Sequence, residues 1–248
     1  MLPRMLNFYG FWLSWLLAIM GCLAHTGCED SKKDTQDLIQ IPKIKEQLKI
    51  DGKLDEPAWS RSAGTHAFMR FDGKEAARQS TEARLAWNEK NLYLAFVCHD
   101  RDIISKYKHR DEPLYLQEAV EVFLDPDSDE KDYMEFEVSP AAVLFDASFS
   151  ARRTGMKLSF NPDIQVSVFT DGTLNKSDDE DNLWTVEMAI PFDQMTGRGR
   201  RPPLASDCWR MNMFRLDVSK HSNEASAWRP TRGDFHDLTA FGRACFTQ

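Results

Sequence analysis

The chain has 248 residues, a formal net charge of −8, and 42% hydrophobic with 11% aromatic residues. That length suits one substantial core in a single domain, and the acidic balance argues against nucleic acid or an anionic membrane face as a partner. The five cysteines include no CxxC pair and no Cys/His cluster, which argues against a structural zinc site.

One basic residue, Arg4, precedes an uncharged Trp/Leu/Phe-rich run over residues 8–23. The run is short and poorly flanked for a membrane span and fits the hydrophobic part of a secretory signal, with an uncleaved anchor as the alternative. Cys22 and Cys28 each follow a glycine at its end, an arrangement similar to the lipobox of bacterial lipoproteins. Cys22 has the better residue three positions earlier, Ile19, whereas Cys28 is followed by the polar stretch of a tethered lipoprotein. Cys28 is therefore favoured for lipidation, with Cys22 as the alternative. Residues 1–28 then form a leader, 29–40 a linker and 41–248 the domain. The expected location is the bacterial cell envelope, lipid-anchored or secreted, with any membrane contact through the lipid alone. Cys98, Cys208 and Cys245 remain, so at most one disulfide forms among them, and its pairing is not legible.

The domain opens with IDGKLDEPAW, a turn at Asp51-Gly52 followed by a short helical turn that buries Ala58 and Trp59. Residues 82–87 and 91–98 alternate apolar and polar side chains across a three-residue gap, which predicts an antiparallel hairpin. In residues 119–124, Val120, Val122 and Leu124 share one side and Glu121 lies beside Phe123 on the other. In 133–139, Met134, Phe136 and Val138 form the apolar stripe, while Tyr133, Glu135, Glu137 and Ser139 share the opposite face. Two adjacent strands with carboxylates on one side predict a sheet with a polar, hydrogen-bonding surface. Further strands are expected over 143–149, 164–169, 184–190, 209–218 and 241–246, about ten in all. Short strands at this spacing, with little helical period, indicate an all-β fold, an antiparallel β-sandwich.

The ordered set IDGKLDEPAW, LAWNEKNLYLAFVCHD, EAVEVFLDP, YMEFEVSP, WTVEMAIPF, WRMNMFR, W-x-P and a terminal FG resembles the family-9 carbohydrate-binding modules and their DOMON-like relatives. The likeness spans residues 50 to 246. It implies a jelly-roll or immunoglobulin-like sandwich that binds a glycan between two aromatic rings without catalysis, in service of polysaccharide breakdown and of glycoside hydrolases as partners. The family's two ring positions fall on Tyr115 and Phe235, and its carboxylate falls on Glu121. Neither ring is the Trp of the characterised sugar-binding members, and their Arg and Asn on the following strand become Glu137 and Ser139. A carboxylate in place of a fixed cation changes what the site can hold. Arg110 is a candidate for the missing donor, Gln117 and Glu118 lie near Glu121 in sequence, and Trp228 with Phe235 and His236 belongs to a loop expected to form one wall. Trp59, Trp87, Trp184 and Trp209 fall on apolar faces and read as core.

The competing readings are a sugar-free protein-interaction module, a glycosidase and a haem-binding DOMON-like domain. Glu135 and Glu137 sit two apart on one strand, about 7 Å between Cα atoms, yet side by side they cannot flank a scissile bond. Haem ligands would come from Met134, Met213, His99 and His236, without a CxxCH motif. No cofactor is required. Asp125, Asp127, Asp129 and Glu130 offer oxygen ligands suited to calcium, without the spacing of a recognised calcium loop, and leave a structural ion open.

Overall fold

The computed structural model describes residues 38–248. The expected leader, both candidate lipidation cysteines and most of the expected linker lie outside them. Thirteen strands follow in order: β1 Leu38–Ile41, β2 Ala63–Gly64, β3 Met69–Arg70, β4 Thr81–Trp87, β5 Asn91–His99, β6 Ala119–Asp125, β7 Lys131–Val138, β8 Leu144–Ala151, β9 Gln165–Asp171, β10 Leu183–Pro191, β11 Cys208–Val218, β12 Asn223–Ala227 and β13 Gly242–Phe246. One sheet runs β1-β13-β11-β6-β7-β8 with β12 and β3 attached through β11, and the other runs β2-β4-β5-β10-β9. All pairs are antiparallel except β1 with β13. Leu38–Gln40, expected in the linker, are thus already part of a sheet, because alternate residues Ile39 and Ile41 reach the core.

The inner faces carry the apolar stripes read from the alternation. Val120, Val122 and Leu124 of β6 and Met134, Phe136 and Val138 of β7 share one core with Leu92, Leu94 and Phe96 of β5 and Trp184, Val186 and Met188 of β10. Period-2 geometry makes this obligatory, since a one-residue slip would turn each stripe to the opposite face. The hairpin expected between β4 and β5 is present, with Trp87 opposite Leu92.

The motif around Asp51-Gly52 packs on the outer face of the second sheet. The backbone N–H groups of Asp51 and Gly52 donate to Glu187 Oε2 at 2.9 and 2.8 Å, and the Trp59 indole donates to Glu187 Oε1 at 2.7 Å. Gly52 has φ +84°, and a Cβ there would sit 2.6 Å from backbone atoms of Val168 and Phe169, so only glycine fits. Among the described residues one disulfide forms, joining Cys208 to Cys245, directly paired residues of β11 and β13. Cys98 is buried, and burial pushes its thiol up to about 12.

The outer face of the first sheet departs from the expectation of a solvated polar surface. Phe123, Tyr133, Phe145, Ala147, Phe149 and Phe214 form a second core there, closed by Leu114, Leu238 and Phe241 from the covering loops. The carboxylates of β6 and β7 are consequently buried.

Candidate functional site

Two loops cover that outer face and leave a cleft between them. The first carries the 3-10 turn Leu114–Leu116, which buries Leu114 and leaves Tyr115 50% exposed. The second runs from the end of β12 to the 3-10 turn Leu238–Ala240 and carries Phe235 and His236. A cleft of 490 Å³ is lined by Tyr115, Phe235 and His236 from these loops, by Glu121 and Glu135 from the sheet, and by Phe145, Phe149, Arg153, Met156, Leu216 and Gly233. Its size is that of a small-ligand pocket.

The two rings are fixed by different neighbours. Tyr115 stands edge-on to Phe145 at 5.8 Å between centroids. Phe235 stacks on Phe214 at 4.0 Å and 9° between planes. Preset rings lose little freedom when they stack against a ligand.

The floor is acidic. β6 and β7 place Glu121 directly opposite Glu137 and Phe123 opposite Glu135. Each of the three glutamates offers an oxygen within 4.8 Å of the others. Glu121 is 2% exposed and Glu137 0%, and Glu121 Oε1 accepts no hydrogen bond. Burial and the neighbouring carboxylates hold Glu121 and Glu137 well above the usual carboxylate range, and burial lifts Glu135 to about 7. At neutral pH the floor therefore carries protons and can both donate and accept.

Charged groups at the rim are already engaged. Arg153 pairs with Asp234 through Nε at 2.9 Å and Nη2 at 2.8 Å. The Tyr133 hydroxyl shares a hydrogen bond with His236 Nδ1 at 2.7 Å. Burial and Arg153 bring His236 down to about 4, so the ring is neutral at physiological pH, with Nε2 4.0 Å from Glu135.

The fold brings Tyr115, Phe235 and Glu121 into one cleft and sets Glu137 against Glu121 below its surface. Four other candidates are directed elsewhere. Trp228 is buried in the inter-sheet core, where its backbone N–H bonds Met213. Arg110 pairs with the buried Asp146 and also donates to the Pro162 carbonyl at 3.1 Å. Gln117 Oε1 accepts from the Lys106 backbone N–H at 2.8 Å and so pins the loop. Ser139 is buried in the turn between β7 and β8, accepting from the Val143 N–H at 3.3 Å. Arg153, Phe149, Phe145 and Met156 escaped sequence reasoning because their positions follow from the β7–β8 pairing and from the turn beyond β8. The haem set does not converge, since Met134 and Met213 fill the inter-sheet core while His236 lies on the outer face.

Two other constellations bear on ligands or metals. Asp125, Asp127 and Asp129 offer oxygens within 4.8 Å of one another, but Asp125 already accepts from the Ser128 and Glu130 N–H groups, both at 3.0 Å. A larger cleft of 700 Å³ is lined by His99, Asp100, Asp102, Asp181 and His221 among other polar residues. It has no phenyl, phenol or indole ring among its described lining, unlike the cleft at Tyr115.

Comparisons with known proteins fit this arrangement. A family-9 carbohydrate-binding module from Caldicellulosiruptor kristjanssonii, solved with cellotriose, superposes with a TM-score of 0.59 at 14% identity, covering 85% of this chain and 93% of that one. A Bacteroides uniformis protein, provisionally described as carbohydrate-binding, superposes with a TM-score of 0.67 at 15% identity over 84% of this chain and 98% of its own. An Arthroderma benhamiae protein described as extracellular is 29% identical over 185 residues, 67% of this chain and 78% of its own. The model of the family described as carbohydrate family 9 binding domain-like matches residues 50–248, and the chain belongs to that family.

Proposed function

We propose that the domain binds carbohydrate without catalysis, in the cleft between Tyr115 and Phe235. The observation that carries this reading is the meeting of an exposed phenol ring, a preset phenyl ring and the carboxyl floor of Glu121 and Glu135 in one cleft of family-9 architecture. A pyranose presents apolar C–H faces suited to the rings and hydroxyls suited to groups that both donate and accept. The cellotriose held by the Caldicellulosiruptor module makes a glucan chain or its end the first ligand to try.

The carboxylates favour binding over hydrolysis. Glycosidases set two carboxyls on opposite sides of the scissile bond, about 5–5.5 or 6.5–9.5 Å apart. Here the lining carboxyls, Glu121 and Glu135, rise from adjacent strands of one sheet face. The reading invokes no cofactor. A calcium ion would be sought at Asp125, Asp127 and Asp129, by its effect on thermal stability.

Residues 1–28 are read as a leader with lipidation at Cys28, or at Cys22, and the polar stretch after it as the tether to the envelope. A binding domain displayed there would serve polysaccharide breakdown by holding glycan near partner glycoside hydrolases. Calorimetric titration of the protein with cello- and xylo-oligosaccharides tests the reading. Saturable binding that Tyr115→Ala strongly weakens supports it, and absence of binding to every glycan refutes it in favour of a protein-docking face.

A further inference from the structure

The floor of the cleft is more acidic than a neutral sugar requires. Glu121, Glu135 and Glu137 each bring an oxygen within 4.8 Å of the other two. Oxygens this close can all lie within hydrogen-bond reach of one nitrogen. Among the described residues, the one cation that lines the cleft, Arg153, favours the ionised forms of Glu121 and Glu135 from a distance but makes its ion pair elsewhere. Arg153 is held by Asp234, His236 shares its Nδ1 hydrogen bond with Tyr133, and across the sheet Glu121 is paired with Phe214. Glu121 Oε1 is left without a hydrogen-bond partner although Glu121 is 98% buried, being 2% exposed, and lines the cleft.

Resting on the carbohydrate reading above, we propose that the cleft selects an amine-bearing sugar, whose ammonium sits on Glu121 and Glu135, with Glu137 close behind them, while its ring packs against Tyr115 and Phe235. An alkylammonium has three N–H donors and no acceptor, the complement of clustered carboxyl oxygens. A calcium or magnesium ion would instead need about six or more oxygens, whereas beyond the carboxyls the lining is mainly the rings of Tyr115, Phe145, Phe149 and Phe235 with Met156 and Leu216, and Arg153 and His236 bring nitrogen rather than oxygen. A cation with a hydrocarbon body fits both parts of such a site.

The charge balance gives the proposal its own signature. Without ligand, burial keeps protons on these carboxyls, with Glu135 near 7 and the other two higher. An incoming ammonium stabilises the ionised forms, so protons leave as it binds. A neutral sugar exchanges hydrogen bonds and leaves the protons in place.

The test is calorimetric titration of the protein at about pH 6, where a sugar amine is charged, in two buffers of different ionisation enthalpy. The ligands are the β1,4-linked glucosamine trisaccharide, its fully N-acetylated form and cellotriose. We expect the free-amine sugar to bind at least about tenfold more tightly than its acetylated form and to release at least one proton. Glu137→Gln and Glu121→Gln should each reduce that preference by about tenfold, with folding of both variants checked by near-ultraviolet circular dichroism. Cellotriose binding as tight as the free-amine sugar, without proton release, overturns the proposal and leaves the carbohydrate reading intact. If none of the three sugars binds, the proposal fails, and the carbohydrate reading fails with it when the wider set of cello- and xylo-oligosaccharides is silent too. Calcium that binds at the cluster, releases the protons and is not displaced by the amine overturns the proposal in favour of a metal site.

Discussion

Two buried acidic constellations, one between the two sheets and one on the outer face of the first, differ in one respect. Asp100 and Glu118 both reach the Arg215 guanidinium, at 2.8 and 3.1 Å, and all three side chains are at most 1% exposed. Burial would raise Asp100, but the Glu118 hydrogen bond and Arg215 hold it below the usual range, while burial and Asp100 push Glu118 well above it. Arg215 thus answers the Asp100 anion while Glu118 keeps a proton, and a third carboxyl, Asp217, accepts from the Gln79 amide at 2.9 Å. Glu121, Glu135 and Glu137 are similarly buried but have no cation among them. The difference separates a fold element from a site: the first group has a buried guanidinium at hydrogen-bond distance from its carboxyls, and the second has only protons or a ligand to offset its own.

Removing the cation from the first group should have the largest effect. Arg215→Met leaves Asp100 and Glu118 buried without a counter-charge and should cost about 3–5 kcal/mol, read from urea denaturation. Glu137→Gln should be neutral or stabilising at alkaline pH, because it removes a carboxyl that must either hold a proton or face like charges. An equal loss in both variants would erase the comparison.

Next in size is the ring at the rim. Tyr115→Ala should weaken glycan binding by about 2 kcal/mol, roughly thirtyfold, and leave the denaturation midpoint nearly unchanged, since the side chain is half exposed. Phe235→Ala should weaken binding as well but also lower the midpoint, because it removes the partner stacked on Phe214.

The pH response has a definite sign. Above about pH 4.3 the unfolded chain has released glutamate protons that the folded cluster keeps. Its contribution to stability is therefore full below that pH and falls as pH rises through about 7, where Glu135 titrates. Asp234 behaves oppositely: burial alone would raise it, but hydrogen bonds from Arg153 and Arg152 hold it at about 2, so its contribution is lost only toward that acidity. Thermal melts from pH 5 to 8 should slope downward, and Glu135→Gln should flatten the slope. A melting temperature that rises over that interval would contradict the assignment.

What the sequence made legible was local. Alternation in 119–124 and 133–139 placed Glu121, Glu135 and Glu137 on one face, and the register confirms the placement. It did not show that this face is roofed, although Phe123 and Tyr133 among the carboxylates were the available signal. Arg110 read as a free donor because its partner, Asp146, lies 36 residues away on another strand. Trp228 read as a loop aromatic because nothing local says that the chain after β12 turns inward to bond Met213. The site residues set by one strand were readable, and those set by pairing between distant segments were not.

The most direct measurement is a crystal structure of the protein with cellotriose bound. The account predicts sugar density against Tyr115 and Phe235, with a hydroxyl on Glu121. Density in the cleft of His99, Asp102 and His221 instead, with the Tyr115 cleft empty at saturating sugar, would contradict it.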